Sequence, residues 1–140
     1  MNTYKHIVKG VINYIENNLD KEIDLAKIAE NIGYSKFHLN RIFAEETGCT
    51  IYKYLQVRRL TIAAEKLTNT DRPITQIAYE AGYNSQQAFS LAFKQVYVYP
   101  PKIYRDMGVF IPRQTKLSMC LHLYSNVNQN YARKIGGIAA

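Results

Sequence analysis

Residues able to make or break bonds are few in this chain and scattered. There are three histidines, His6, His38 and His122, and two cysteines, Cys49 and Cys120, among 140 residues. The cysteines stand 71 positions apart, with no CxxC and no His/Cys cluster near either, so they read as two free thiols. No HExxH, GxSxG, Walker loop or GxGxxG occurs, and the 7 glycines stand singly apart from Gly136-Gly137. Neither an enzyme nor a metal or cofactor site is expected. The plentiful reactive groups are cations: Lys+Arg 18 against Asp+Glu 11 leaves a net charge of +7. Residues 1–50 carry 6 basic and 7 acidic side chains, residues 51–105 carry 8 and 3, and residues 106–140 carry 4 and 1. The chemistry on offer is ion pairing with a polyanion, and nucleic acid, an anionic membrane and an acidic partner all suit it on charge alone.

The elements that position these groups follow from spacing. Ile7/Val8, Val11/Ile12, Ile15 and Leu19 form the apolar stripe of a helix over 3–18. Asp24 is placed to cap a short second helix carrying Leu25, Ile28, Ala29 and Ile32, with Ile23 and Ile28 as a hydrophobic staple and Gly33 as its stop. Ser35 then caps a third helix with two faces: Leu39, Ile42 and Phe43 inward, Phe37, Asn40, Arg41 and Ala44 on the opposite stripe. A fourth helix over 53–68, about 25 Å long at ~1.5 Å per residue, ends in the turn cluster Thr68 to Pro73. Ile74, Ile77 and Ala78 open a fifth helix stopped by Gly82. Ser85 caps a sixth with Phe89, Ala92, Phe93 and Val96 inward, and Pro100-Pro101 starts the last.

The chain contains one unit twice. Leu25, Ile28, Ala29, Gly33 and Tyr34 match Ile74, Ile77, Ala78, Gly82 and Tyr83 at an offset of 49. After one inserted residue, Ser35, Leu39 and Phe43 match Ser85, Phe89 and Phe93 at an offset of 50. Each unit has the outline of a helix-turn-helix, in which the first helix braces the second and leaves the second's outer face free for a major groove ~12 Å wide. Two αα-corners of a helical bundle would share that outline, but duplication favours DNA. Major-groove faces recur about every 34 Å along one side of the duplex, so one monomer can read two of them.

The residues Gly33-Tyr34-Ser35-Lys36-Phe37-His38-Leu39-Asn40-Arg41-Ile42-Phe43, Glu46-Thr47-Gly48 and Arg58-Arg59-Leu60 resemble the AraC/XylS transcription regulators. The second block, Ile77-Ala78, Gly82-Tyr83, Ser85-Gln86-Gln87, Phe93-Lys94, Pro100-Pro101 and Tyr104-Arg105, continues the match, which spans roughly residues 5–106 and fits the small single-module members best. The resemblance implies an all-α fold with about seven helices, in which two homeodomain-like helix-turn-helix subdomains, 1–52 and 69–107, are joined by a linker helix, 53–68. It implies a monomeric activator of stress, efflux or antibiotic-resistance genes that bends promoter DNA and contacts RNA polymerase. Carried onto this chain, the base-reading positions are Phe37, Asn40 and Arg41 in the first unit and Gln86, Gln87, Ser90 and Leu91 in the second. The chemistry suits: Arg41 can fork onto guanine O6/N7, Asn40 can pair with adenine or bridge to phosphate, Phe37 can rest on a thymine methyl, and Gln86 and Gln87 can read adenine. Leu91 departs from the pattern, since similar small regulators carry arginine there, so recognition is expected to be dominated by the first unit. Phosphate contacts are expected from Lys36, Arg58, Arg59, Lys94, Lys102 and Arg105. If about six phosphates are neutralised, log K falls with log salt at a slope near −5.

The rest is bounded by exclusion. No apolar run approaches ~18 residues and no leader pattern opens the chain, so a cytoplasmic, non-membrane protein is expected. His38 reads as an exposed or phosphate-contacting residue, and the twelve tyrosines as mostly core or rim. Residues 108–140 form a poorly defined tail, extended or partly ordered, in which Val109 to Ile111 and Met119 to Leu123 could form short strands or dock. Thirty-four residues from 107 are too few for a ligand-binding domain, so no effector pocket is expected. The rival reading is a helical protein-interaction module that uses the basic face on an acidic partner, with Phe37 as a possible anchor.

Overall fold

A computed structural model describes residues 3–113. Among them are seven α-helices and no strand: α1 (Thr3–Asn17), α2 (Leu25–Ile32), α3 (Lys36–Thr47), α4 (Ile51–Asn69), α5 (Ile74–Glu80), α6 (Gln86–Tyr97) and α7 (Pro101–Met107). The fold is all-α, with two helix-turn-helix units. The chain divides into two compact units within α4, one ending at Tyr54 and the other starting at Leu55.

In the first unit, α3 packs on both α1 and α2. The stripes read from spacing are the ones buried: Val8, Val11, Ile12 and Ile15 of α1, Ile28 and Ala29 of α2, and Leu39, Ile42 and Phe43 of α3. The first turn of α4 closes this core through Ile51 and Tyr54. The Tyr54 ring lies 5.9 Å from that of Phe43. Its hydroxyl, buried with it, donates to Glu16 Oε2 at 2.6 Å, which satisfies a polar group that would otherwise be costly inside a core.

The start of α4 lies two residues earlier than spacing predicts, at Ile51. Two side chains account for this by taking backbone N–H groups that a helix start leaves without partners. Asn40 Oδ1 accepts from Ile51 N at 3.1 Å, and Thr50 Oγ1 accepts from Lys53 N at 3.0 Å.

The second unit is built around an aromatic stack. Phe93 lies 4.8 Å from Tyr97 with rings 14° from parallel, and the edge of Tyr104 meets Phe93 at 5.3 Å. Leu60, Ala63, Ala64 and Leu67 of α4 and Ile77 and Ala78 of α5 complete the cluster. Arg105 ties α7 across it: Nε donates to the Leu67 carbonyl at 2.9 Å and a terminal nitrogen to the Arg72 carbonyl at 2.7 Å. The first carbonyl belongs to the last turn of α4, where such acceptors have no partner within the helix.

Residues Val109 to Ile111 form no strand. The segment after α7 instead docks on the second unit. Phe110 packs on the apolar cluster, and the backbone N–H groups of Ile111 and Arg113 donate to the hydroxyls of Tyr104 and Tyr97 at 2.9 and 3.3 Å. Met119 to Leu123, Cys120 and the remainder of the expected tail from 114 onward lie outside the described residues.

Candidate nucleic-acid interface

Both corners are built by the same local rules. Asp24 caps α2 by accepting from Ala26 N at 2.9 Å. At the end of α2 the chain turns through Gly33 at φ 87°, with Gly33 N and Tyr34 N both donating to the Ala29 carbonyl, at 2.9 and 3.0 Å. The second copy turns through Gly82 at φ 94°, with Tyr83 N donating to the Ala78 carbonyl at 3.0 Å. Positive φ of this size suits glycine because a Cβ would crowd the following carbonyl. Ser35 then starts α3 by accepting from His38 N at 3.0 Å, and Ser85 starts α6 by accepting from Ala88 N at 3.1 Å. The copies differ at their first helix, since α5 opens at Pro73 with no side-chain cap.

These corners leave one face of each second helix in solvent. On α3, Phe37 is 81% exposed, a level that an apolar ring holds only where nothing in its own unit covers it. Arg41, one turn on, has an exposed side chain whose Nε stands 4.0 Å from Glu45 Oε1. Lys36 is exposed at the first position of the helix. Asn40 behaves differently. It is half-buried, and its amide oxygen is occupied by Ile51 N, whereas a bidentate adenine contact needs the oxygen and nitrogen of the amide together. On α6, Gln86, Gln87 and Lys94 are exposed, Ser90 is half-buried, and Leu91 is 64% exposed. The offset of 50 aligns Phe37 with Gln87, Asn40 with Ser90 and Arg41 with Leu91, so the two ridges occupy the same place in their units.

The cations expected at phosphates separate into two groups. Lys36, Lys94 and Lys102 are exposed. Arg58 and Arg59 are half-buried on α4, and both engage other groups of the protein. Arg105 spends two sets of donors on the Leu67 and Arg72 carbonyls, which makes it a brace of the second unit.

Sequence reasoning overlooked Glu45, although its spacing four after Arg41 is a helix-surface pairing signal. It also overlooked a cluster at the last residue of α5, where Glu80 accepts from Lys66 at 2.9 Å and Arg72 at 3.1 Å. The hydrogen bond from Lys66 is the main reason that the Glu80 carboxyl is held below the usual range. Among the tyrosines, expected to be mostly core or rim, Tyr52 and Tyr79 stand well exposed. Cys49 is a free thiol whose pKa burial pushes up, which disfavours a reactive thiolate. No described helix is long and apolar enough to cross a membrane.

Comparison with known proteins decides among the readings of such a pair of corners. The model of a helix-turn-helix domain matches residues 28–107. The multiple antibiotic resistance protein MarA of Escherichia coli is 38% identical over 104 residues, covering 74% of this chain and 82% of that protein. The chain belongs to the AraC/XylS family of transcription regulators, of the MarA type. This AraC/XylS regulator is also 39% identical over 99 residues to the right origin-binding protein of Escherichia coli, covering 71% of this chain and 34% of that longer protein. Among solved structures it is similar to the C-terminal domain of AraT, a response regulator from Geobacillus stearothermophilus, with a TM-score of 0.67 and 33% identity over 78% of this chain and 90% of that one. A DNA-binding transcription regulator is thus shown, and its relatives are not enzymes.

Proposed function

We propose that this regulator binds promoter duplex as a monomer, with α3 and α6 entering neighbouring major grooves and α4 as the connector between two reading units. The observation that carries the reading is the repeat-related pair of exposed ridges, Phe37/Arg41 on α3 and Gln87/Leu91 on α6, each on the second helix of its corner. Arg41 reads guanine through its fork and Phe37 contacts a thymine methyl, while Gln86 and Gln87 read adenine and Leu91 contacts a methyl group. The exposed Lys36, Lys94 and Lys102, together with the half-buried Ser90 hydroxyl, anchor the sugar-phosphate backbone. Asn40 acts mainly by holding the start of α4, and Arg105 acts mainly within the second unit.

The regulated genes are stress, efflux or antibiotic-resistance genes, activated in the cytoplasm through contact with RNA polymerase. The name of the relative MarA and the share of that protein covered by the alignment support the antibiotic-resistance part of this reading. The test is retardation of duplexes selected from a random pool, followed by transcription in vitro from a promoter carrying the selected site. Retention against a large excess of unrelated duplex, with a protein-to-duplex stoichiometry of one, is the expected result. Retardation abolished equally by any competitor duplex refutes it.

A further inference from the structure

We propose that Glu45 is a specificity-determining residue, whose carboxylate competes for the Arg41 guanidinium so that, among base edges, only a guanine presenting O6 and N7 together draws it away. The inference rests on the assignment of α3 as a base-reading helix. Phe37, Arg41 and Glu45 follow one another at intervals of four and so share one ridge of α3. Arg41 Nε and Glu45 Oε1 are 4.0 Å apart, and the two side chains are 61% and 63% exposed. Arg ahead of Glu is the weaker order for a helix pair, and an exposed pair of this kind adds little to stability, so the pair is poorly explained as a device for holding the helix together.

On a surface that meets DNA its effect is large in another sense. A carboxylate accepts hydrogen bonds and donates none, whereas phosphate oxygens and guanine O6 and N7 are acceptors too. Glu45 therefore repels the duplex wherever Arg41 has not found a partner worth leaving it for. An adenine or thymine edge offers a single major-groove acceptor, N7 or O4, which does not replace the carboxylate. Guanine offers two acceptors in the geometry of the guanidinium fork. Discrimination is a difference between two affinities, and an element that weakens the wrong complex raises it as surely as one that strengthens the right one. The charge distribution agrees: residues 1–50 hold 6 basic and 7 acidic side chains, so the first unit has little unspecific attraction for a polyanion and contributes by selecting.

The full chain is compared with Glu45→Gln, Arg41→Ala, the double variant, and Glu22→Gln, which removes one exposed carboxylate from the loop before α2. Each is titrated at one fixed salt concentration against a duplex selected by the wild type and against the same duplex scrambled. Glu45→Gln is expected to bind the scrambled duplex roughly three- to tenfold more tightly and the selected duplex within about twofold of wild type, which narrows the ratio. The effect shrinks in the Arg41→Ala background, because it acts through Arg41. The proposal fails if Glu45→Gln leaves the ratio unchanged while Arg41→Ala lowers it, or if Glu22→Gln has the same effect as Glu45→Gln. If neither Arg41→Ala nor Glu45→Gln alters the ratio, the assignment of α3 as the reading helix falls and takes the proposal with it.

Discussion

Truncating Arg41 to alanine separates reading from folding more cleanly than any other change on the α3 ridge. Its side chain is 61% exposed and its one ion pair, with Glu45, is a surface contact at 4.0 Å, so the folded unit loses at most a few tenths of a kcal/mol. If the guanidinium forks onto a guanine, the loss appears in binding instead, at about 1–3 kcal/mol, or roughly 5- to 150-fold in affinity. At the equivalent position of the second unit, Leu91→Ala removes only an apolar contact with no directional hydrogen bond, worth about 1 kcal/mol or less for the part of the side chain in solvent. Titration of both variants against the selected duplex, and against duplexes with each base pair replaced in turn, measures the two losses. Arg41→Ala should flatten preference at one position, and Leu91→Ala should leave the profile nearly as it was. Equal losses from the two, or a melting temperature that falls in step with the Arg41→Ala affinity loss, would refute unequal reading by two equivalent ridges.

Lys36→Ala should weaken binding to all duplexes alike and make the salt slope shallower by about 1. Arg105→Ala, by contrast, should cost about 1–3 kcal/mol of stability through its two backbone carbonyls, measured by denaturant titration, with the salt slope unchanged. Phe93→Ala should cost about 3–5 kcal/mol, since the ring is wholly buried in the aromatic stack, and should abolish binding by unfolding the second unit, as hydrogen exchange of α6 amides would report. Gly82→Ala should cost about 1–2 kcal/mol from positive φ alone and lower the thermal midpoint by calorimetry. The Glu80 carboxyl is held down chiefly by Lys66, so its contribution is present above the unfolded value of about 4.3 and lost as pH falls through the lower folded value. Wild type should therefore lose stability relative to Glu80→Gln on acidification below about pH 4.5, in parallel denaturant titrations, and show a constant difference above pH 6.

What could be read in the amino-acid order was what is decided within a few residues. The cap residues Asp24, Ser35 and Ser85 act on backbone groups two or three positions ahead, and Gly33 and Gly82 act on their own φ, so each leaves a local mark. The doubled corner followed from those marks together with the buried stripes. Contacts across the chain were not legible. Asn40 was expected on a base edge because the family resemblance puts a base-reading position there, but its oxygen meets a backbone N–H 11 residues away. Arg105 was expected at a phosphate as one cation of the basic half of the chain, yet it meets a carbonyl 38 residues away. Neither pairing creates a periodicity, and a charged side chain gives no sign of whether its partner is solvent, DNA or the end of a helix. Nor does anything in the order mark Val98, a non-glycine residue at φ 76° that ends α6.

The docking of residues 109–113 moves the mechanical end of the second unit. Gly108, at φ 69° after α7, has the look of a slack joint, and the matched helix-turn-helix region stops just before it. The next five residues are nonetheless pinned, through Phe110 on the apolar cluster and through the hydroxyls of Tyr104 and Tyr97. Tyr97 is the last residue of α6. Tension applied at Arg113 is therefore delivered to the trailing end of the helix assigned to the second groove, and cutting the chain at Gly108 would sever that line of force along with three points of attachment.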